Sequence, residues 1–309
     1  MRTIFMGTPD FAVPTLNSLI KNHEVLAVFT QPDKPKGRGQ KMQPPPVKEV
    51  ALKNNIPVYQ PQKLRNNDEV IDLIKKLNPD VIVVVAYGQI LPKEILEIPK
   101  YGCINVHASL LPKLRGAAPI NWAIINGFKT TGVTTMIMDV GLDTGDMLLK
   151  KEIEIKDDET AGELHDRLMI IGADLLIETL KKIEEGSIVP QKQEDSLSSY
   201  APMLTKEMGH VKWDEDNNKI YNLIRGLLPW PGAYFYYKNN MIKIWKAKIG
   251  NNNINDVPGR ILNVTRDGIE IACKEGSIII TELQEMGGKR MSVDSYLNGH
   301  QIEIGSIVE

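Results

Sequence analysis

Short apolar runs alternate with turn signals through the first 155 residues. Runs at 3–6, 25–29, 57–59, 81–86, 133–138 and 147–155 read as strands, and stretches starting near 11, at 47–53, 68–77 and 117–127 read as helices. Run 81–86, Val-Ile-Val-Val-Val-Ala, has no polar position. A strand without alternation is covered on both faces, as in a parallel sheet. From Thr160 the period changes: Leu164, Leu168, Ile171 and Leu175 recur at helical spacing toward a stop near Gly186. Thr160-x-x-Glu163 is a capping-box pattern for the start of that helix. Residues 187–207 are polar and irregular and read as a linker. Beyond them come a lead helix at 218–225 and five short β-like runs: 233–237, 242–247, 259–264, 269–272 and 278–283. Short strands separated by turns predict a small barrel.

The expected fold class is therefore α/β: a Rossmann-like, mostly parallel sheet followed by a small, OB-like β-barrel. Gly7-Thr8-Pro9-Asp10 turns the first strand into a helix with one glycine where a dinucleotide fingerprint needs three, so dinucleotide binding is rejected. The 309 residues suit two domains, and 42% apolar residues suffice for sizeable cores. Net charge is −2, so any nucleic-acid surface must be local. Cys103 and Cys273 form no Cys-x-x-Cys and read as buried apolar residues in a reducing, cytoplasmic setting. The first residues run into a strand pattern with no apolar leader, and no run nears the roughly 18–20 residues of a membrane span.

The chemistry concentrates at 103–119. In Cys103-Ile-Asn-Val-His107 the apolar residues alternate with Asn105 and His107. Period two puts an amide and an imidazole on one strand face, about 6.5 Å apart. A capped strand end with a satisfied core histidine would explain His107 alone. It leaves unexplained the stiff Ser109-Leu110-Leu111-Pro112 turn and the carboxylate loop Asp139-Val-Gly-Leu-Asp143-Thr-Gly-Asp146. Amide, imidazole and carboxylate at strand ends are the parts of an oxyanion-stabilising site. His165 lies off its helix's apolar stripe and receives no role, and His210 and His300 lack partners in the sequence. No His, Cys and carboxylate set has metal-ligand spacing, so no metal is expected.

Asn105-x-His107, Ser109-Leu-Leu-Pro112, Arg115-Gly-Ala-Ala-Pro119 and Asp139-x-Gly-x-Asp143-x-Gly-Asp146 together resemble the folate-dependent formyltransferases, over nearly the whole chain. The resemblance implies transfer of the formyl group of 10-formyltetrahydrofolate to the α-amine of methionyl-initiator tRNA. It makes Asn105, His107 and Asp143 catalytic. It places folate against Tyr87, Gly88, Gln89, Ile90 and Leu91, against Ser109, Leu110, Leu111 and Pro112, and against Asp139 and Val140. It implies a catalytic domain at 1–188, a linker at 189–208 and a tRNA-binding barrel at 209–309, in a monomer with no membrane contact.

Two stretches bear on the partner. Residues 31–46 carry Lys34, Lys36, Arg38 and Lys41 against one acid, Asp33, and five prolines with two glycines argue against regular structure. From the residues alone this is a solvated loop. By resemblance it is a basic arm for the acceptor end of the tRNA. Residues 217–255 hold six basic residues and no acid, with Tyr221, Trp230, Tyr234, Phe235, Tyr236, Tyr237 and Trp245 interleaved. That pattern fits either a nucleic-acid footprint through Lys243, Lys246 and Lys248 or aromatic filling of a barrel. Rival functions are formyl transfer to a sugar nucleotide or another small amine, hydrolysis of the formyl-folate, and tRNA binding without catalysis.

Overall fold

In the computed structural model, which describes residues 1–36 and 41–309, the chain divides into two units. One comprises Met1–Gly116, Thr131–Ile153 and His165–Ala201; the other comprises Ala117–Thr130, Glu154–Leu164 and Pro202–Glu309. The strands of the first part of the chain are β1 (Arg2–Gly7), β2 (Glu24–Phe29), β3 (Lys34–Lys36), β4 (Lys41–Gln43), β5 (Val58–Tyr59), β6 (Val81–Val85), β7 (Cys103–His107), β8 (Arg115–Gly116), β9 (Thr130–Ile137), β10 (Met147–Glu154) and β11 (Tyr200–Ala201). The helices are α1 (Val13–Asn22), α2 (Pro46–Lys53), α3 (Asp68–Leu77), α4 (Lys93–Leu96), α5 (Pro119–Ile125) and α6 (Ala161–Glu184). Among the described residues no helix is long and apolar enough to cross a membrane.

A seven-stranded sheet runs β10-β9-β7-β6-β1-β2-β5. The pairs β7–β6, β6–β1, β1–β2 and β2–β5 are parallel, and β9 runs antiparallel to β7. Every residue of β6 is buried, as the unalternating run 81–86 required, and every residue of β7 is buried as well. Because β1, β6 and β7 are parallel, the loops after them leave from one edge of the sheet, where ligands of such sheets bind. The helix signals are equally local. Asn67 caps α3 by accepting from Val70 N, and its last turn ends on Asn78 in the left-handed region. At α6, Thr160 N donates to Glu163 Oε2 at 2.8 Å and Glu163 N donates to Thr160 Oγ1 at 3.3 Å, the reciprocal pair of a capping box. Gly172 lets α6 lie close to β7, since a Cβ there would come within 2.9 Å of Val106 Cγ1.

The expectation that 31–46 lacks regular structure is corrected. Its described parts form a two-stranded antiparallel ladder, Lys34↔Gln43, Pro35↔Met42 and Lys36↔Lys41. A two-stranded ladder has two open edges, so the donor missing at Pro35 need only face outward.

The second unit adds α7 (Asn217–Gly226), β12 (Ala233–Tyr237), β13 (Asn240–Ile249), β14 (Ile261–Thr265), β15 (Gly268–Ala272), β16 (Ser277–Glu285), β17 (Met291–Ser292) and α8 (Val293–Leu297). The antiparallel order is β12-β13-β16-β15-β14, with β17 on β16. The last residues join the two free edges. On the β14 side Ile261 N donates to Ser306 O at 2.9 Å and Val308 N donates to Gly259 O at 2.8 Å. On the β12 side Tyr236 N donates to Glu309 O at 2.7 Å and Glu309 N donates to Tyr236 O at 3.0 Å. This closes the sheet into the expected barrel and removes its open edges. Val308 is buried in the barrel core. Val308→Ala removes two buried methyls and should cost about 1.5 kcal/mol of stability, at ~0.8 kcal/mol per methyl-sized group. Hydrogen exchange should then quicken at the Tyr236 and Ile261 amides. Unchanged protection at both would show that the tail does not hold the edges.

Candidate active site

Period-two alternation in β7 puts Asn105 and His107 on one face, and both side chains reach the same carboxylate. Asn105 Nδ2 lies 3.5 Å from Asp143 Oδ1, and His107 Nδ1 lies 3.6 Å from Asp143 Oδ2. Asn105 and His107 are 9% and 6% exposed. Gly116 N donates to Asp143 Oδ2 at 2.8 Å. Asp143 has φ +54°, a left-handed conformation that a short polar side chain tolerates better than an apolar one. Its loop leaves β9 and turns on Asp139, whose Oδ1 accepts from Gly141 N and Thr144 Oγ1. Gly145 has no room for a side chain, since a Cβ would lie 1.7 Å from Ile137 O.

The tautomer of His107 follows from its other edge. Nε2 lies 2.9 Å from Leu114 O, and a carbonyl oxygen only accepts, so Nε2 carries a hydrogen. Leu114 is itself held at φ +58°, with its N–H donating to Ser199 Oγ at 2.9 Å. Only Nδ1 is left for chemistry, and it faces the Asp143 carboxylate. In the neutral ring, lone pair and carboxylate are two acceptors at 3.6 Å. One proton, or one N–H donor placed between them, completes the pair. Cys103, two residues before Asn105, is no competing nucleophile: burial pushes its thiol up to about 12.

The loop residues expected to hold a ligand divide by burial. Ser109 Oγ donates to Lys113 O at 2.6 Å, and Leu111 is buried with Met136 and Met147. Leu110 and Pro112 are half-buried. Thr134, which sequence reasoning missed, ties this turn to β9 by donating to Ser109 O at 2.7 Å and accepting from Leu111 N at 3.1 Å. Lys150 Nζ donates to Leu111 O at 2.6 Å, and burial holds its ammonium below the ordinary lysine value. After β6, Tyr87 and Leu91 are core side chains, and burial drives the Tyr87 phenol upward. The Tyr87 carbonyl accepts from Thr8 Oγ1 and Gln31 Nε2. Gln89 is spent on Leu64 N and Pro61 O. Gly88, at φ +83°, and Asp139 are exposed. Ile90 and Val140 are 81% and 72% exposed, and Leu142 is exposed with them. Ile90 stands on the loop after β6, and Val140 and Leu142 stand on the loop after β9.

Of the basic positions, Lys34 and Lys41 are exposed at the ends of their strands. Arg38 and the Lys36 side chain lie outside the described residues. The root of the hairpin is fixed. Asp33 pairs with Lys48 at 2.9 Å and accepts from Gln60 Nε2 at 2.7 Å, and Gln60 and Lys48 together hold its carboxyl below its ordinary value. Within the barrel, alternation sorts the aromatics. Phe235 and Tyr237 enter the core, while Tyr234 and Tyr236 pack edge-to-face outside, with His210 stacked on Tyr234. Lys243 stands opposite Tyr234 and donates to Pro231 O, and Lys246 and Lys248 are exposed. Trp245 donates to Gln284 Oε1 under the Arg290 guanidinium. His165, given no role from its spacing, lies 3.6 Å from Asp10 and 3.0 Å from Asp166, edge-on to Phe11. Among the described residues, no three His, Cys, Asp or Glu side chains are grouped to hold a metal ion.

The family described as formyl transferase matches residues 1–180, and the one described as formyl transferase, C-terminal domain, matches residues 203–301. The methionyl-tRNA formyltransferase of Clostridium novyi (strain NT) is 56% identical over 309 residues, covering all of both chains. That of Alkaliphilus metalliredigens (strain QYMF) is 59% identical over 309 residues, all of this chain and 98% of the relative. Among solved structures, the sugar 3N-formyl transferase WlaRD, determined with dTDP and 5-N-formyl-THF, superposes with a TM-score of 0.67 at 21% identity, covering 91% of this chain and 97% of that one. HypX from Aquifex aeolicus in complex with tetrahydrofolic acid gives 0.65 at 16% identity, covering 99% of this chain and 50% of that one. At such identities these two speak for the fold alone.

Thr134→Val keeps the shape of the buried side chain but leaves Ser109 O and Leu111 N without their partner. An orphaned buried polar group costs roughly 1–3 kcal/mol. Denaturant unfolding should show a loss of that size. A neutral result would mean that the turn finds other partners.

Proposed function

We infer that this chain, which belongs to the formyl transferase family, moves a formyl group onto the α-amine of methionyl-initiator tRNA. The convergence of Asn105, His107 and Asp143 carries the reading, supported by full-length relatives of that activity at 56% and 59% identity. The formyl donor is a folate, and we take it to be 10-formyltetrahydrofolate.

An α-amine titrates near pH ~8, so a useful fraction is neutral at cytosolic pH and no covalent nucleophile is needed. When bound, the folate supplies the formyl carbon on N10 and departs as tetrahydrofolate. Asn105 donates its amide to the formyl oxygen as negative charge develops there. The gap between His107 Nδ1 and the Asp143 carboxylate accepts an N–H of the attacking amine. As the nitrogen becomes positive, His107 Nδ1 takes its proton, and the imidazolium so formed is stabilised by the Asp143 carboxylate beside it. That proton returns from Nδ1 to the leaving N10, so the cycle closes without net protonation of the protein. Gly116 N–H keeps Asp143 Oδ2 aimed throughout.

The outward apolar side chains Ile90, Val140 and Leu142 support a pteridine seat at the loops after β6 and β9, with Ser109, Leu110, Leu111 and Pro112 contributing mainly the backbone of a fixed turn. We assign Lys34 and Lys41 of the anchored hairpin, with Lys36 and Arg38, to the phosphate backbone of the tRNA, and Lys243, Lys246 and Lys248 to the same partner. Working on this partner places the enzyme in the cytoplasm.

Asn105→Ala, His107→Ala and Asp143→Ala should each lower single-turnover formylation of methionyl-tRNA; removal of one oxyanion donor costs ~100–1,000-fold. The assay scores free formate and formylation of small amines in parallel. Formate release alone would replace transfer by hydrolysis, and preference for a sugar amine would replace the tRNA.

The hairpin is tested apart from the chemistry. Lys34→Ala with Lys41→Ala should weaken tRNA binding and flatten its salt dependence, by about 0.7 in slope for each phosphate that is no longer neutralised. The KM for the formyl donor should not move. An unchanged salt slope would reduce the hairpin to a solvated loop.

A further inference from the structure

Gln193 lies in a segment that reads from sequence as irregular linker. In the structure three of the four hydrogen-bonding positions of its side-chain amide are used at the candidate site. Nε2 donates to Asp143 O at 2.8 Å and to Gly145 O at 2.8 Å. Oε1 accepts from Arg115 Nε at 3.0 Å. The orientation of the amide is unambiguous: carbonyls only accept and a guanidinium only donates, so Nε2 must face the loop and Oε1 must face Arg115.

Arg115 is fixed in its turn. Its Nη2 donates to Asp195 Oδ1 at 2.8 Å and its backbone N donates to Ser199 O at 2.9 Å. Residues 115 and 116 pair in parallel with Tyr200 and Ala201, and Gln191 exchanges both backbone hydrogen bonds with Met147 at the start of β10. Segment 191–201 thus grips the Asp143 loop from outside. The next residue after Arg115 is Gly116, whose N–H holds the Asp143 carboxylate. One short strand therefore controls Asp143 twice: its side chain directly through Gly116, and its backbone through Arg115 and Gln193.

The conformation being held needs such control. Asp143 is left-handed, and its carboxylate stands 3.5 and 3.6 Å from Asn105 and His107, distances that a small rotation of the loop would lengthen beyond use. We propose that Gln193, oriented by Arg115, is a positioning residue that clamps the carbonyls on either side of Thr144 and so aims the Asp143 carboxylate at Asn105 and His107. The proposal rests on the assignment of Asp143 to the chemistry. Gln193 itself need touch no substrate, so it acts on turnover rather than on binding.

The test is a double-mutant cycle read by steady-state formylation kinetics. Gln193→Glu keeps an acceptor for Arg115 but replaces two N–H donors with negative charge against two carbonyls. Displacement of a reacting group by about 1 Å costs on the order of 100-fold. The variant should lose about 10- to 100-fold in kcat while KM for both substrates stays within about threefold. Gln193→Ala, which adds no charge, should show a smaller loss of the same kind. In an Asp143→Ala background, Gln193→Glu should cost nothing further, because its effect passes through Asp143. A full additional loss in that background, or a rise in KM without a fall in kcat, overturns the proposal. Near-normal turnover of Asp143→Ala alone removes Asp143 from the mechanism and the clamp's purpose with it. Loss in Asp143→Ala with normal turnover in both Gln193 variants refutes the clamp and leaves the assignment of Asp143 standing.

Discussion

A half-buried carboxylate whose lone pairs must be met is the constraint around which the candidate site is arranged. Taking a carboxylate out of water is costly unless its lone pairs are met. Asp143 meets that demand from two separate segments, with Asn105 Nδ2 on β7 at 3.5 Å and the N–H of Gly116 at 2.8 Å, while His107 Nδ1 faces it at 3.6 Å. Each must arrive in register. The parallel pairing of β6 and β7 sets the height of Asn105 against Val84, and the antiparallel pairing with β9 sets His107 against Thr134. Thr134 then ties the 109–111 turn to that same strand. Strand register thus sets both the triad and the turn beside it.

The candidate site also shows how much of such an arrangement is backbone. His107 is usable through Nδ1 alone because the carbonyl of Leu114 occupies Nε2. A backbone carbonyl chooses the tautomer and a backbone amide aims the acid. Both come from 114–116, a stretch with one apolar residue, one cation and one glycine. Leu114 at φ +58° is a conformation that the surrounding hydrogen bonds must enforce, whereas Gly116 reaches φ +112° at no Cβ cost. The energy for this comes from the buried sheet, whose continuously apolar strands do no chemistry.

The surfaces proposed for a large partner are built by other means. The hairpin of β3 and β4 is thin and polar, yet its root is locked by Asp33, Lys48 and Gln60 into the same hydrogen-bonded chain that reaches the carbonyl of Tyr87 through Gln31. In the second unit one strand serves two purposes by period two. Phe235 and Tyr237 build the core, while Tyr234 and Tyr236 give the outside an aromatic face beside Lys243. Barrel filling and an outer aromatic, basic face are both present in that run, on alternate residues.

Local signals in the sequence determined what depends on neighbours a few positions apart. Helix α3 matches the expected 68–77 to the residue, β12 matches 233–237, and the Thr160–Glu163 cap closes as its spacing requires, because period, capping and chain stiffness act over one or two turns. The facing of Asn105 and His107 was legible for the same reason. Three things were not. The hairpin at 34–43 was hidden because prolines argue against strands except where an edge is free, and freedom of an edge is a tertiary fact. Barrel closure by 306–309 depends on two edges, Gly259–Ile261 and Tyr236, that lie about 45 and 70 residues away in sequence; only folding shows that they lack partners. Gln193 was invisible because an amide in a polar stretch has no periodicity to betray it. Its meaning lies in three partners, Asp143, Gly145 and Arg115, brought to it from 48 to 78 positions away. Sequence decides which way a side chain faces on its own element, and tertiary structure decides what stands opposite.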